Sequence, residues 1–240
     1  MNKVFIAAPF GIYLAIPGMI RVKGTYTLNE RKGRYWGALT RIWFTKNGIY
    51  NRMGMRNPGI KNVKLKASEN VVYSISEFTK ESFYELLEYI PENIAIELNF
   101  SCPNVEDALS SQDKSDILKF ASNKFKNVIV KLPPDYISAL NLFTLAYIAG
   151  IRTFNACNTI KTDLGGKSGR DIQQFSLYFI KAIKESFPDC SMIGGGGIYS
   201  EIDIKKYVEA GADAISLGTV FFMPWKLPSV LFGIYKYMVK

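Results

Sequence analysis

The sequence contains no histidine. A Ser-His-Asp or Cys-His catalytic apparatus is therefore impossible, as is any metal site built on imidazole. Cysteine is scarce too. Cys102, Cys157 and Cys190 form no Cys-x-x-Cys pair, which argues against a zinc ribbon or an iron–sulfur cluster held by this chain alone, and no metal site is expected. Their odd number fits free thiols in a reducing cytoplasm. Long apolar runs are also missing. The longest uncharged stretch, residues 4–20, is broken by Pro9, Gly11, Pro17 and Gly18, whereas a membrane span needs about 20 mostly apolar residues. Its start reads as a buried strand rather than a signal peptide. The last shortage is of acid. Residues 1–66 carry 13 Lys/Arg against Glu30 alone, while the remaining chain is slightly acidic. Aromatics such as Tyr35, Trp36, Trp43 and Tyr50 interleave with these cations. That pattern suits either a nucleic-acid strand or a positive rim around a small-anion site.

No linker or low-complexity tract divides the chain, so residues 1–240 are expected to form one domain. Eight short apolar runs lie at residues 4–8, 20–24, 71–76, 94–101, 128–133, 153–159, 192–198 and 214–220. Continuous rather than alternating apolarity predicts parallel strands buried on both faces. Helical periodicity falls between the later runs, at 80–89, 115–125, 136–149, 172–186, 200–210 and 227–239. Ser200 with Asp203 makes a capping-box-like start, and Gly211 is a stop signal. Alternating strands and helices predict a (β/α)₈ barrel, for which about 250 residues is typical. The first two crossover helices are expected to be reduced. Residues 25–67 show no helical period and read as a basic, aromatic excursion near the active-site face.

In such a barrel the ends of strands seven and eight commonly hold a phosphate. Strand seven ends in the four glycines 194–197 and strand eight in Leu217-Gly218-Thr219. Glycine lets backbone N–H groups approach phosphate oxygens, and a side chain at Gly197 is expected to fill that space. Gly166-Lys167-Ser168 is not a P-loop, because Lys161 stands where that motif needs glycine. Strand four ends in Asn99-Phe100-Ser101-Cys102-Pro103-Asn104, where Pro103 turns the chain and can expose Cys102. Lys131 closes strand five, and Asn158-Thr159 closes strand six. Asparagines both donate and accept, which suits an amide- or imide-bearing ligand.

These residues, with Val22-Lys23-Gly24-Thr25, Arg31, Gly33, Asn51-Arg52-Met53-Gly54-Met55-Arg56-Asn57-Pro58-Gly59 and Gly165-Gly166-Lys167-Ser168-Gly169, resemble the dihydroorotate dehydrogenases of the soluble, cysteine-base class. The flavour is nearest to the branch that pairs with an iron–sulfur flavoprotein subunit. The resemblance implies bound FMN touched by Ala7, Ala8, Lys23, Gly24, Asn99, Lys131, Asn158 and Gly169, with its phosphate at Gly196, Gly197, Gly218 and Thr219. It implies dihydroorotate held by Lys23, Asn51, Asn99, Asn104, Asn158 and Thr159 and by Met53, Gly54 and Met55. Cys102 would take the C5 proton while the flavin takes the C6 hydride, giving orotate for pyrimidine biosynthesis. An iron–sulfur flavoprotein partner and a homodimer are the implied assemblies. The chain departs from the family in its trimmed early helices, in Ala7-Ala8-Pro9 and in Val105-Glu106-Asp107. Two other readings compete: a related flavin reductase of another pyrimidine, and a non-catalytic barrel that binds flavin or nucleic acid.

Overall fold

The computed structural model describes residues 3–33, 40–45, 48–100 and 109–239. In chain order the strands are β1 (Lys3–Ile6), β2 (Met19–Tyr26), β3 (Ile42–Thr45), β4 (Gly48–Asn51), β5 (Val71–Ile75), β6 (Ile96–Leu98), β7 (Val128–Leu132), β8 (Thr153–Ala156), β9 (Ile160–Thr162), β10 (Gly165–Ser168), β11 (Ser191–Gly195) and β12 (Ala214–Leu217). The helices are α1 (Phe10–Tyr13), α2 (Lys80–Tyr89), α3 (Ser111–Lys124), α4 (Tyr136–Ile148), α5 (Asp171–Ser186), α6 (Glu201–Glu209) and α7 (Leu227–Met238).

Eight strands, β1-β2-β5-β6-β7-β8-β11-β12, close into a parallel barrel. It is the (β/α)₈ architecture that the alternation of runs predicts. Each crossover from β5 onward carries a helix. The β1–β2 connection has only the single turn α1, and in the β2–β5 connection Thr40 is the one α-helical residue among those described. Helix starts follow from local chemistry. The Thr79 and Asp135 side chains accept from the N–H groups of Ser82 and Ser138, and Ser110 and Asp113 form a reciprocal capping box. Each such cap contributes about 1 kcal/mol. At the end of α6, Gly211 takes φ +94°. Ala212 N–H donates to the Tyr207 carbonyl and Gly211 N–H to that of Val208, which is the glycine-stop geometry the sequence signals. The Ser200 cap forms, but the Asp203 carboxylate accepts from Tyr199 N–H, one residue before the cap.

The barrel interior is stratified. Alternation points residues two apart the same way. Phe5, Ile20, Val22, Val72, Ile129, Ile193 and Ala214 form one buried apolar cluster. One step further along the strands the inward positions change character, to Gly24, Ser74, Lys131, Gly195 and Ser216, joined by Glu97 and Asn155, all buried. The helices pack outside, where Tyr73, Phe83, Phe143, Phe154, Phe179 and Tyr207 are almost wholly buried.

A second sheet, β3-β4-β10-β9, is antiparallel. It was not foreseen: residues 25–67 read as irregular. β3 and β4 come from that excursion and β9 and β10 from the β8–α5 connection, so two distant segments pair through Gly166 opposite Asn51. Neither hairpin shows a complete sequence signal, because half of the sheet lies 115 residues from the other half. Gly165 makes the approach feasible. It sits at φ +103°, and a Cβ there would overlap the Asn51 carbonyl. The basic block is dispersed rather than gathered. Arg21 donates to the carbonyls of Gly11 and Ile12 and ties α1 to β2. Lys3 lies at the opposite end of the barrel, on the rim of an open depression of about 1140 Å³.

Asp203, wholly buried at the start of α6, joins three elements. It accepts from Tyr199 N–H at 2.9 Å, Ser200 Oγ at 2.8 Å and Gln173 Nε2 at 2.9 Å, and pairs with Arg170 at 3.2 Å. Burial by itself would raise its pKa, but the Gln173, Tyr199 and Ser200 hydrogen bonds and the Arg170 charge together hold it below the ordinary value. A depressed folded-state pKa adds stability above the unfolded value, near 3.9, that is lost as pH falls through the folded value. Asp203→Asn should cost about 1–3 kcal/mol at pH 7, and the deficit should shrink as pH falls through the depressed folded-state value. Urea unfolding of both proteins at pH 7 and pH 3 checks this; a deficit independent of pH would refute it.

Candidate active site

The carboxyl ends of the barrel strands surround a cavity of about 540 Å³, within the roughly 300–1,000 Å³ range of small-molecule sites. Its floor is the polar stratum of the barrel: Gly24, Asn99, Lys131, Asn155, Gly195 and Ser216 all line it. Ile42, Ile49, Asn51 and Ser168 of the second sheet close one side, and Phe10, Tyr13 and Phe222 another. Phe222 meets Phe10 at 4.9 Å and Phe44 at 5.3 Å, both edge-on. The apolar runs overshoot the strands for this reason. β8 stops at Ala156 and β11 at Gly195, while the apolar residues beyond them continue as cavity wall.

At one end the wall is glycine. The carbonyls of this turn are held from behind. The Tyr207 hydroxyl donates toward those of Gly195 and Gly196 at 2.8 and 2.7 Å, and Gln173 Nε2 donates to that of Gly197 at 3.2 Å. The N–H groups of Gly196 and Gly197 have no acceptor among the described residues. Across from them stand Gly218 and Thr219, whose Oγ1 lies 3.0 Å from the Tyr199 hydroxyl. The expectation for Gly197 needs correction. A Cβ there would meet the Arg170 Cα at 2.9 Å and the Gly169 carbonyl at 3.0 Å, so it would strike the chain before α5 instead of filling the cradle. A Cβ on Gly218 would meet only the Ala7 Cβ, at 3.6 Å; Gly218 is the position whose side chain would take up cradle space. The glycine turn, its unused donors and the open flank at Gly218 fit a phosphate-bearing cofactor such as FMN.

At the other end a polar relay crosses four strand ends. Asn158 Nδ2 donates to Asn99 Oδ1 at 2.9 Å, Asn99 Nδ2 to Thr25 Oγ1 at 3.2 Å, and Thr25 and Ser74 share a 3.1 Å hydroxyl contact. Below it Asn155 Nδ2 donates to Glu97 Oε2 at 2.7 Å, while Glu97 Oε1 is buried without a partner. Lys131 is 9% exposed and has no hydrogen bond or ion pair among the described residues. A buried cation without an anion is costly unless a ligand completes it. Burial pushes the Cys157 thiol far above its ordinary pKa, and the nearby Lys131 charge offsets only part of that. Cys157 is therefore a wall residue and no base at neutral pH.

The loop after β4 is fixed by Asn57. Its Oδ1 accepts from the N–H groups of Thr27 and Gly59, and its Nδ2 donates to Thr27 Oγ1 and the Met55 carbonyl. That holds Met55 at φ +57°, the left-handed region an unbranched side chain seldom adopts.

The cavity gathers Ala7, Ala8, Gly24, Asn51, Met53, Met55, Asn99, Lys131, Asn158, Thr159, Gly169, Gly196, Gly197, Gly218 and Thr219. Two sequence-predicted residues lie elsewhere. Lys23 follows inward-facing Val22, so alternation turns it outward, with Nζ 5.8 Å from the Tyr73 ring centroid. Burial and the neighbouring Arg21 charge lower its pKa there. Gly54 is not part of the wall: as the turn residue between Met53 and Met55, at φ +61°, it has open space beside it. Cys102 and Asn104 lie outside the described residues. Asn155, Ser216, Thr25, Arg56 and Asn57 were not foreseen as site residues. Asn155 and Ser216 could have been found from the alternation, since each stands two positions after an inward-facing residue at the strand start.

A family model described as Dihydroorotate dehydrogenase matches residues 12–238. The catalytic subunit of dihydroorotate dehydrogenase B (NAD(+)) from Thermotoga petrophila is 29% identical over 97% of this chain and 94% of its own. The corresponding subunit from Caldicellulosiruptor saccharolyticus is 30% identical over 86% of this chain and 76% of its own. Among solved structures, a dihydroorotate dehydrogenase from Eimeria tenella, crystallised with ferulenol, superposes with a TM-score of 0.78 at 17% identity, covering 98% of this chain and 81% of that one, a likeness of fold. With that model matching residues 12–238, nearly the whole chain, the protein belongs to the dihydroorotate dehydrogenase family.

Proposed function

We propose that this protein oxidises dihydroorotate to orotate with bound FMN, as a catalytic subunit in pyrimidine synthesis that passes its electrons to a separate iron–sulfur flavoprotein subunit. The observation that carries the reading is Lys131, a buried cation with no protein anion among the described residues, in the same cavity as the glycine cradle and the asparagine relay. The subunit naming of the relatives supports the partner. Among the described residues no helix is long and apolar enough to cross a membrane.

Bound flavin supplies the hydride acceptor; the remaining work falls to this chain's side chains. Gly196, Gly197, Gly218 and Thr219 hold the phosphate through backbone N–H groups. Lys131 would balance negative charge on the bound flavin. Asn51, Asn99, Asn158 and Thr159 offer both donors and acceptors to the alternating amide groups of the substrate ring. Their relay fixes which way each amide points, so the ring is oriented before it reacts. Cys102 removes the C5 proton. A free thiol, with a reference pKa near 8.5, suits a base working just above neutrality. Asn104 completes the substrate contacts. The second sheet and the Phe10–Phe222 pair exclude water.

Three substitutions test the assignments. Gly218→Val should yield nearly colourless protein, since the added side chain occupies the cradle; full flavin content in that variant would refute the phosphate placement. Cys102→Ala should keep its flavin but lose about 10²–10⁴-fold in the rate of flavin reduction by dihydroorotate. Cys157→Ala, at a thiol held protonated by burial, should lose less than about tenfold, well short of the loss of a positioned base. Stopped-flow reduction measures both, and equal losses would reject Cys102 as the base. Flavin that dihydroorotate does not bleach would favour reduction of a different pyrimidine.

A further inference from the structure

Glu97 has no task in the functional reading above. It stands in the middle of β6, where Ile96 and Leu98 face the helix layer and Glu97 faces the barrel interior, 1% exposed. It lies beneath the cavity and does not line it. A buried carboxyl group is costly unless its oxygens find partners. Among the described residues only Oε2 has one, Asn155 Nδ2 at 2.7 Å, while Oε1 is sealed without any. The bond also fixes the far side of Asn155. An accepting oxygen can bond only the NH₂ side of an amide, so Oδ1 is turned away from Glu97. Asn155 lines the cavity floor. Its Oδ1 has no donor among the described residues, and it is not sealed as Glu97 Oε1 is. Lys131 is the neighbour of Asn155 in the β7–β8 register and lines the same floor, and no hydrogen bond joins the two. The floor therefore presents a cation and an unused acceptor on adjacent strands.

We propose that Glu97 is a positioning residue for the cofactor: it turns the Asn155 amide so that Oδ1 accepts from the N3–H of the flavin ring. The inference rests on the reading of this cavity as a flavin site. The oxidised ring system has one N–H, at N3, flanked by two carbonyl groups. An acceptor beside a cation matches that edge, with Lys131 at a carbonyl oxygen and Asn155 at the N–H. The substrate ring also carries N–H groups. Asn155, however, lies in the floor with Lys131, whereas the functional reading gives the Asn158–Asn99–Thr25 relay to the substrate. A reversed amide would set Nδ2 against N3–H, donor against donor. Glu97 thus selects the orientation that the ring needs before it binds, which lowers the cost of binding.

Exchange with 3-methyl-FMN, which lacks that N–H, tests the inference. The flavin-loaded protein is equilibrated with mixtures of the two flavins, and the bound fractions are read by chromatography of the released flavin. Wild type should favour FMN by about 5–100-fold, the range for a hydrogen bond lost with its buried acceptor left unpaired. Glu97→Leu should reduce the preference to less than about threefold, because Nδ2 without its acceptor turns to the cavity. Glu97 does not line the cavity, so this loss cannot come from space made for the methyl group. Glu97→Gln still offers Nδ2 an acceptor and should stay within about threefold of the wild-type preference. Asn155→Leu removes Oδ1 at similar bulk. It should also fall below about threefold, and it carries the comparison if Glu97→Leu does not fold. A wild-type preference below about threefold, or one that Glu97→Leu or Asn155→Leu leaves intact, would overturn the inference. Equal losses in Glu97→Gln and Glu97→Leu would overturn it too. Each of these results leaves the functional reading standing, whereas wild-type protein that binds neither flavin overturns that reading and the inference with it.

Discussion

Everything at the site depends on one constraint inside the barrel: inward-facing side chains must fill the lower interior and leave the upper interior polar and open. The same strands do both within two residues. Val72 is followed at the next inward position by Ser74, Ile129 by Lys131, Ile193 by Gly195 and Ala214 by Ser216. The apolar layer buries enough surface to close the barrel, each fully buried aliphatic side chain contributing about 1.5–3 kcal/mol. The layer above contributes little to stability and holds charge and hydrogen-bonding capacity that protein alone does not satisfy. Lys131 and Glu97 Oε1 mark that unsatisfied boundary. Register alone sets this boundary, since a one-residue slip in β7 would send Lys131 into the helix layer.

The periphery stabilises what the boundary exposes. Gln173 holds the glycine turn by the Gly197 carbonyl and Asp203 holds it by Tyr199 N–H, while the N–H groups of Gly196 and Gly197 have no acceptor among the described residues. The second sheet joins two connections far apart in sequence and places Asn51 and Ser168 over the same opening. The β1–β2 connection holds only the single turn α1, and this sheet supplies part of the cavity wall. The basic character of residues 1–66 is then spread over several tasks. Arg21 anchors α1, Arg52 stacks near Trp43 and donates to the Asp163 carbonyl, and Arg56 lines the cavity.

Periodicity exposed the barrel because parallel strands buried on both faces leave continuous apolar runs, and α6 because its caps are local, Ser200 before it and Gly211 after it; α3 begins at Ser111, four residues before the periodicity from 115 suggests, because Ser110 and Asp113 cap it. The glycine and asparagine positions were legible because they follow those strands directly. The second sheet was hidden because its halves find each other only in three dimensions. Lys23 was misplaced because a motif gives neighbourhood and not side-chain direction, and the alternation from Val22 sends it toward Tyr73. Gly197 was given the wrong reason because its positive φ turns a would-be Cβ toward Arg170. Arg56 stands in the motif at residues 51–59, but its place on the cavity wall shows only once the loop is folded.

The central claim is that the polar end of this barrel couples a bound flavin to one anionic dihydropyrimidine. Anaerobic titration of the purified protein with dihydroorotate, following the flavin band and the product together, tests it most directly. The account predicts that the band bleaches and that one orotate forms for each flavin reduced. A flavin that stays oxidised through excess dihydroorotate, or bleaching without orotate, would contradict it.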